Sequence, residues 1–208
     1  MKKIQYIIII IGFILLPGIK SVAQDHELTL KLNYSVAIPT GSFKTDIINK
    51  TSYSGFGGEL MYHINSNIAA GIETGWQNFY QKYPRQLYKT SDGTDISAVL
   101  SNTVASTPIL LKGQYNFLAG NIIQPYVALA AGLNLISFNQ YLGEFTSDRK
   151  TKAGFAARPE AGIYIPFGRT SSAGFSLGAG YNYMPFNYNG IDNLNNITVR
   201  AGVSFPLR

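Results

Sequence analysis

Leu28-Thr29-Leu30-Lys31-Leu32-Asn33-Tyr34-Ser35-Val36-Ala37-Ile38 alternates along its whole length. Side chains of a strand point to opposite faces in turn. Leu28, Leu30, Leu32, Tyr34, Val36 and Ile38 therefore share one greasy face. Thr29, Lys31, Asn33, Ser35 and Ala37 share the other, which is small or polar. The same two-residue rhythm predicts seven more strands, over 53–64, 68–79, 104–117, 124–137, 153–167, 173–184 and 196–207. Each is longer than the usual globular strand of about 5 to 6 residues and long enough for a tilted membrane strand of about 9 to 11.

The connections alternate as regularly as the residues. Short turns are predicted at Asn65-Ser66-Asn67, at Leu118-Ala119-Gly120-Asn121 and at Gly168 to Ser172. Longer loops are predicted over 39–51, 80–103, 138–152 and 185–195. Short turns at one end and long loops at the other mark a barrel in an outer membrane, with its turns and both chain ends on the periplasmic side.

The first residues agree with that location. Met1-Lys2-Lys3 is positive, 6–16 is apolar, Pro17-Gly18 breaks the run, and Ser21-Val22-Ala23 precedes a cleavage position at Gln24. Residues 1–23 read as a cleaved signal peptide and 24–208 as one barrel domain. The apolar run is shorter than the ~20 residues of a spanning helix.

Composition narrows the class. The chain has 17 basic and 11 acidic residues, but Lys2, Lys3 and Lys20 lie in the leader, so the remainder is close to balanced. That gives no case for nucleic acid. Charged residues make up 13%, about half the usual ~25% of a soluble domain. With no cysteine there is no disulfide frame and no thiolate metal site.

Alternation alone does not say which face is inside, since a soluble barrel hides its apolar face and a membrane barrel shows it. Three features favour lipid. The polar faces carry mostly small residues suited to a narrow lumen. Aromatics sit near strand ends, at Tyr34, Tyr62, Trp76, Phe79, Phe117, Phe167, Tyr181, Tyr183 and Phe205, where amphipathic rings meet headgroups. No charge interrupts an apolar face, where Lys or Arg would cost about 2 to 4 kcal/mol at mid-bilayer. The expected fold is all-β: an eight-stranded, antiparallel, up-and-down transmembrane β-barrel.

The polar faces then place seven charges in the lumen: Lys31, Glu59, Glu73, Lys112, Arg158, Glu160 and Arg200. Buried charges must be paired, and an eight-stranded barrel is narrow enough for side chains to fill. The expectation is a plugged interior of ion pairs; an ion path through them is the alternative.

The chain resembles small outer-membrane barrels, broadly OmpA/OmpX-like and more closely the porin-family or PorT-like proteins. The likeness rests on Ile38-Pro39-Thr40-Gly41-Ser42-Phe43, on Thr107-Pro108-Ile109-Leu110-Leu111-Lys112 and on Val199-Arg200-Ala201-Gly202-Val203-Ser204-Phe205. It implies insertion by the barrel assembly machinery, read from a final strand that often ends in an aromatic. Here Phe205 is followed by Pro206-Leu207-Arg208, a departure from that pattern.

No catalytic, cofactor or metal site is predicted. His26 lies before the first strand and His63 at the periplasmic end of the second, and no sequence signature supplies a nucleophile. Ser91-Asp92-Gly93-Thr94-Asp95 lacks the twelve-residue calcium loop with its terminal Glu and reads as a turn. Lys82, Arg85 and Lys89 could meet lipopolysaccharide phosphates. Gly55, Gly57, Gly178 and Gly180 read as sites of close packing. The expected role is structural or surface-binding through the loops, in a monomer surrounded by outer-membrane lipid, with a ligand the sequence does not name. A narrow channel is the alternative, and a lipid-modifying enzyme comes third.

Overall fold

The computed structural model describes residues 27–89, 95–143, 145–168, 173–188 and 191–207. The predicted signal peptide, His26, Asp92 and most of the turn predicted from Gly168 to Ser172 lie outside these residues. Ten strands follow in order: β1 Glu27–Pro39, β2 Ser52–His63, β3 Ile68–Lys89, β4 Asp95–Asn116, β5 Gln124–Leu142, β6 Phe145–Pro166, β7 Gly174–Asn182, β8 Pro185–Tyr188, β9 Ile191–Asn193 and β10 Asn196–Leu207. Eight of them form a closed barrel in the order β1-β10-β7-β6-β5-β4-β3-β2, and β8 and β9 make a separate small hairpin. The seam is the antiparallel pair β1–β10, running from Leu28↔Leu207 to Pro39↔Asn196.

The faces are inverted relative to a soluble protein. On β1 the polar side chains Thr29, Lys31, Asn33 and Ser35 are buried, while Leu32 and Tyr34 are exposed. On β4 Leu111 is 70% exposed and Lys112 is 2% exposed. Apolar residues facing out and polar residues packed inside suit a lipid surround.

The outward apolar band has a measurable height. On β4 it runs from Phe117 past Tyr115 and Leu111 to Ile109. At about 3.3 Å per residue and a tilt near 40°, that is about 20 Å, close to the ~25 Å lipid-facing band of such barrels. Beyond it polar residues predominate at the outward positions, with Asn78 and Lys82 on β3, Thr103 and Ser101 on β4, Ser137 and Asn139 on β5 and Thr151 and Arg149 on β6, joined by the exposed phenols Tyr80 and Tyr141.

The strands continue past this limit, which corrects two of the predicted loops. Residues 80–103 are mostly ladder, from Tyr80↔Thr103 to Lys89↔Asp95. Residues 138–152 likewise pair, from Phe138↔Lys150 to Leu142↔Phe145. Strands β3, β4 and β6 are 22 residues long and β5 is 19, whereas β7 has 9. A four-stranded sheet thus projects above one side of the barrel. The β3–β4 ladder shifts register between Lys82 and Arg85. Pro84 lies there; lacking an N–H, proline in a strand favours a bulge.

The other two long connections fold inward. A π-helical turn, Phe43–Ile47, follows β1 and buries Phe43 and Ile47. These residues, with Ile48, join Phe79, Val104, Ile136, Phe138, Met184, Phe186 and Leu194 in one apolar cluster. Phe79 accordingly does not sit in the headgroup girdle where it was expected. Its odd position puts it on the lumen side with Glu73 and Gln77, and its ring meets Phe43 edge-on at 5.0 Å. The remaining eight aromatics of that girdle are exposed.

Candidate functional site

The lumen holds two layers. Toward the long loops lies the apolar cluster just described. Below it, all seven predicted charges meet in one ring, each carried on a different lumen-facing strand position. Lys112 Nζ of β4 is central: it lies 2.9 Å from Glu59 Oε2, 3.3 Å from Glu160 Oε1 and 3.8 Å from Glu73 Oε2. Arg158 binds Glu73 and places Nε 3.3 Å from Glu160 Oε2. Arg200 binds Glu160, and its Nη1 lies 3.0 Å from Glu59 Oε1 and 3.5 Å from Glu73 Oε2. Lys31 joins from the edge, at 3.5 Å from Glu59 Oε2.

The order along the strands explains the convergence. Lys31 pairs across the ladder with Glu59, and Glu59 with Glu73. Two like charges directly opposite each other destabilise a sheet, so Glu59 and Glu73 both need the cations reaching over from β4, β6 and β10. Lys112 and Arg200 reach these carboxylates from nearby strands, and the long Arg158 stem reaches Glu73 from β6 across the narrow interior.

Two ring members were not predicted. Tyr126 of β5 donates its hydroxyl to Glu160 Oε1 at 2.9 Å, and Lys31 Nζ lies 5.4 Å from the Tyr126 ring centre. Asn33 donates to Glu59 Oε1 at 2.7 Å. Both residues lie on lumen positions of their strands, so parity marks them, but a single polar side chain there gives no sign of which charge it serves.

The lumen glycines make room for these groups. A Cβ on Gly178 would stand 2.4 Å from the Tyr126 hydroxyl, and one on Gly162 2.7 Å from the same phenol. A Cβ on Gly55 would collide with Ser35 Oγ and Gln77 Oε1, which hydrogen-bond to each other at 2.8 Å.

A small cavity of about 60 Å³ with mixed walls lies between the ring and the apolar layer, lined by Arg158, Arg200, Gln77 and Asn182 and by Phe79, Leu110 and Met184. On the other side, between the ring and the short turns, lies a cavity of about 200 Å³ lined by Lys31, His63, Gln114 and Ser204 among others. His63 Nε2 and Thr29 Oγ1 share a hydrogen bond of 3.2 Å there. Among the described residues no cluster of ligating side chains suited to a metal ion is found.

An inverted β-barrel with a closed seam and a charge-filled lumen defines a small outer-membrane barrel protein. The profile of the outer membrane protein beta-barrel domain matches residues 11–205, and the chain belongs to that family. Its place is the outer membrane, with the turn side and the strand ends Glu27 and Leu207 toward the periplasm. Among solved structures, neisserial surface protein A (NspA) is 14% identical, covers 88% of this chain and 97% of its own, and gives a TM-score of 0.52. Ail, the attachment invasion locus protein of Yersinia pestis, in complex with the heparin analogue sucrose octasulfate, is 14% identical over 88% of this chain and 100% of its own, at 0.49. OprG from Pseudomonas aeruginosa is 14% identical over 89% and 97%, at 0.49. At such identities the likeness is one of fold. No curated protein matches the chain in sequence.

Proposed function

We propose that this protein is a non-catalytic, monomeric transmembrane barrel that works at the cell surface, presenting its projecting sheet to a partner while its lumen stays shut. The carrying observation is that β3 to β6 outgrow the apolar band, although a spanning strand needs only about 9 to 11 residues. Ladder beyond that length contributes nothing to crossing the bilayer.

The projecting sheet has features of a docking surface. Among the described residues, β3 has no ladder partner on its β2 side beyond Asn78. Beyond Ala157, β6 has none on its β7 side. Exposed strand edges and the loops beside them are natural points of attachment. Lys82, Arg85, Arg149 and Lys150 are exposed on this sheet and suit the phosphates of lipopolysaccharide. Insertion would pass through the barrel assembly machinery, with Phe205 as the aromatic of the last strand.

Two stacked layers in a narrow lumen support a closed barrel over a channel. Planar-bilayer recording is the test: baseline current is expected, and steady single-channel openings overturn the closed reading. A binding screen with versions lacking each long connection should lose ligand when the β3–β4 projection is shortened. A lipid A modification assay tests the non-catalytic part, since turnover abolished by His63→Ala would overturn it.

A further inference from the structure

We infer that the periplasmic end of the lumen is a binding site for a small organic anion, with Lys31 as its anchoring cation. The inference starts from the charge count of the ring. Four cations, Lys31, Lys112, Arg158 and Arg200, face three carboxylates, Glu59, Glu73 and Glu160. Lys112 and the two arginines make the close contacts. Glu59, the carboxylate nearest Lys31, already holds Lys112 at 2.9 Å, Arg200 at 3.0 Å and the Asn33 amide at 2.7 Å. Lys31, whose one ion pair in the ring is the 3.5 Å contact to Glu59, is the ring cation with the fewest partners. Its side chain is only 7% exposed, and a buried cation held by one long ion pair gains from a further acceptor.

Lys31 also stands where a ligand can reach it. It closes the inner end of the cavity of about 200 Å³, whose mouth is framed by Ser66, Ala119 and Gly120 of the short turns. Between mouth and roof, hydroxyls and amides converge from five strands: Thr29, Gln114, Gln124, Tyr164 and Ser204. The Gln114 Oε1 is buried and, among the described residues, accepts no hydrogen bond. Glu27, at the rim, lies on the same wall as Lys31 and disfavours highly charged anions. A cationic floor beneath a ring of neutral donors and acceptors suits a singly charged, hydroxyl- or amide-bearing molecule. The volume limits it to a few heavy atoms beyond the anionic group. A carboxylate and the monoanion of a phosphate monoester share this chemistry.

The test uses the whole protein, isotope-labelled and folded in nanodiscs at constant ionic strength. Lactate, inorganic phosphate and chloride serve as separate probes. Saturable shifts of the Thr29, Lys31, Gln114 and Ser204 amides are expected with lactate or phosphate, and whichever saturates at lower concentration identifies the anion class. Lys31→Gln should raise the dissociation constant at least tenfold, and Lys31→Arg should restore it. Gln114→Leu, away from the ion pairs, should weaken binding several-fold and keeps the test decisive if Lys31→Gln does not fold. Shifts that stay linear, that chloride reproduces at equal concentration, or that survive in both Lys31→Gln and Gln114→Leu overturn the site.

Discussion

At the scale of single residues, the charged ring and its glycine floor make sharp demands. Removing one member of a buried ion pair leaves a charge without compensation and typically costs about 3 to 5 kcal/mol. Lys112 touches all three carboxylates. Lys112→Met should therefore lower the unfolding free energy of the micelle-folded protein by that order in urea titration, and adding Glu59→Gln should recover part of the loss. Gly178 carries a different constraint, because a Cβ there would stand 2.4 Å from the Tyr126 hydroxyl. Gly178→Ala should destabilise by about 1 to 3 kcal/mol, the usual range for overpacking. The effect should shrink in a Tyr126→Ala background, as a double-mutant cycle would show. Strand parity alone put all seven charges on the lumen side, because a charge on a lipid face is so unfavourable that its position is informative. Parity also marks Phe79 as inward. Its expected place at the headgroup level came from counting aromatics near strand ends without applying the same alternation.

At the scale of elements, the spans within lipid were legible and the spans above it were not. Inside the bilayer the two faces meet different solvents, so the sequence alternates strongly. Above it both faces of β3 to β6 are wet in part, and Tyr80 to Lys89 mixes polar and aromatic residues without a clean period. The inward fold of Phe43–Ile47 was equally hidden, since one helical turn gives no periodicity to read. Phe43 is fully buried against Phe79, and truncating a buried Phe commonly costs about 3 to 5 kcal/mol. Phe43→Ala should lower stability by that order in urea titration. It should leave planar-bilayer current at baseline, because the ion-pair layer below is untouched. The projecting ladder should behave in the opposite way. Replacing residues 84–99 by a short turn should leave the heat-modifiable gel shift intact and change stability by less than about 1 kcal/mol, as trimming exposed loops does.

At the scale of the whole molecule, the outward band and the inward charges define which lysines an aqueous reagent can reach. A membrane-impermeant amine reagent applied to intact cells should label Lys82 and Lys150 and spare Lys31 and Lys112. Mass spectrometry of the extracted protein would show the pattern, and labelling of Lys112 would contradict the buried ring. The ring has a further consequence, which concerns time. Its contacts tie β10 to β2, β3 and β6 through Arg200, and β1 to β2 through Lys31, so they straddle the β1–β10 seam. An open sheet entering the bilayer would hold carboxylates lacking the arginine that arrives with the last strand. Such a half-made intermediate is penalised until the final strand docks. Closure should then be an abrupt, all-or-none event, with the last strand acting as the latch that commits the chain to the membrane.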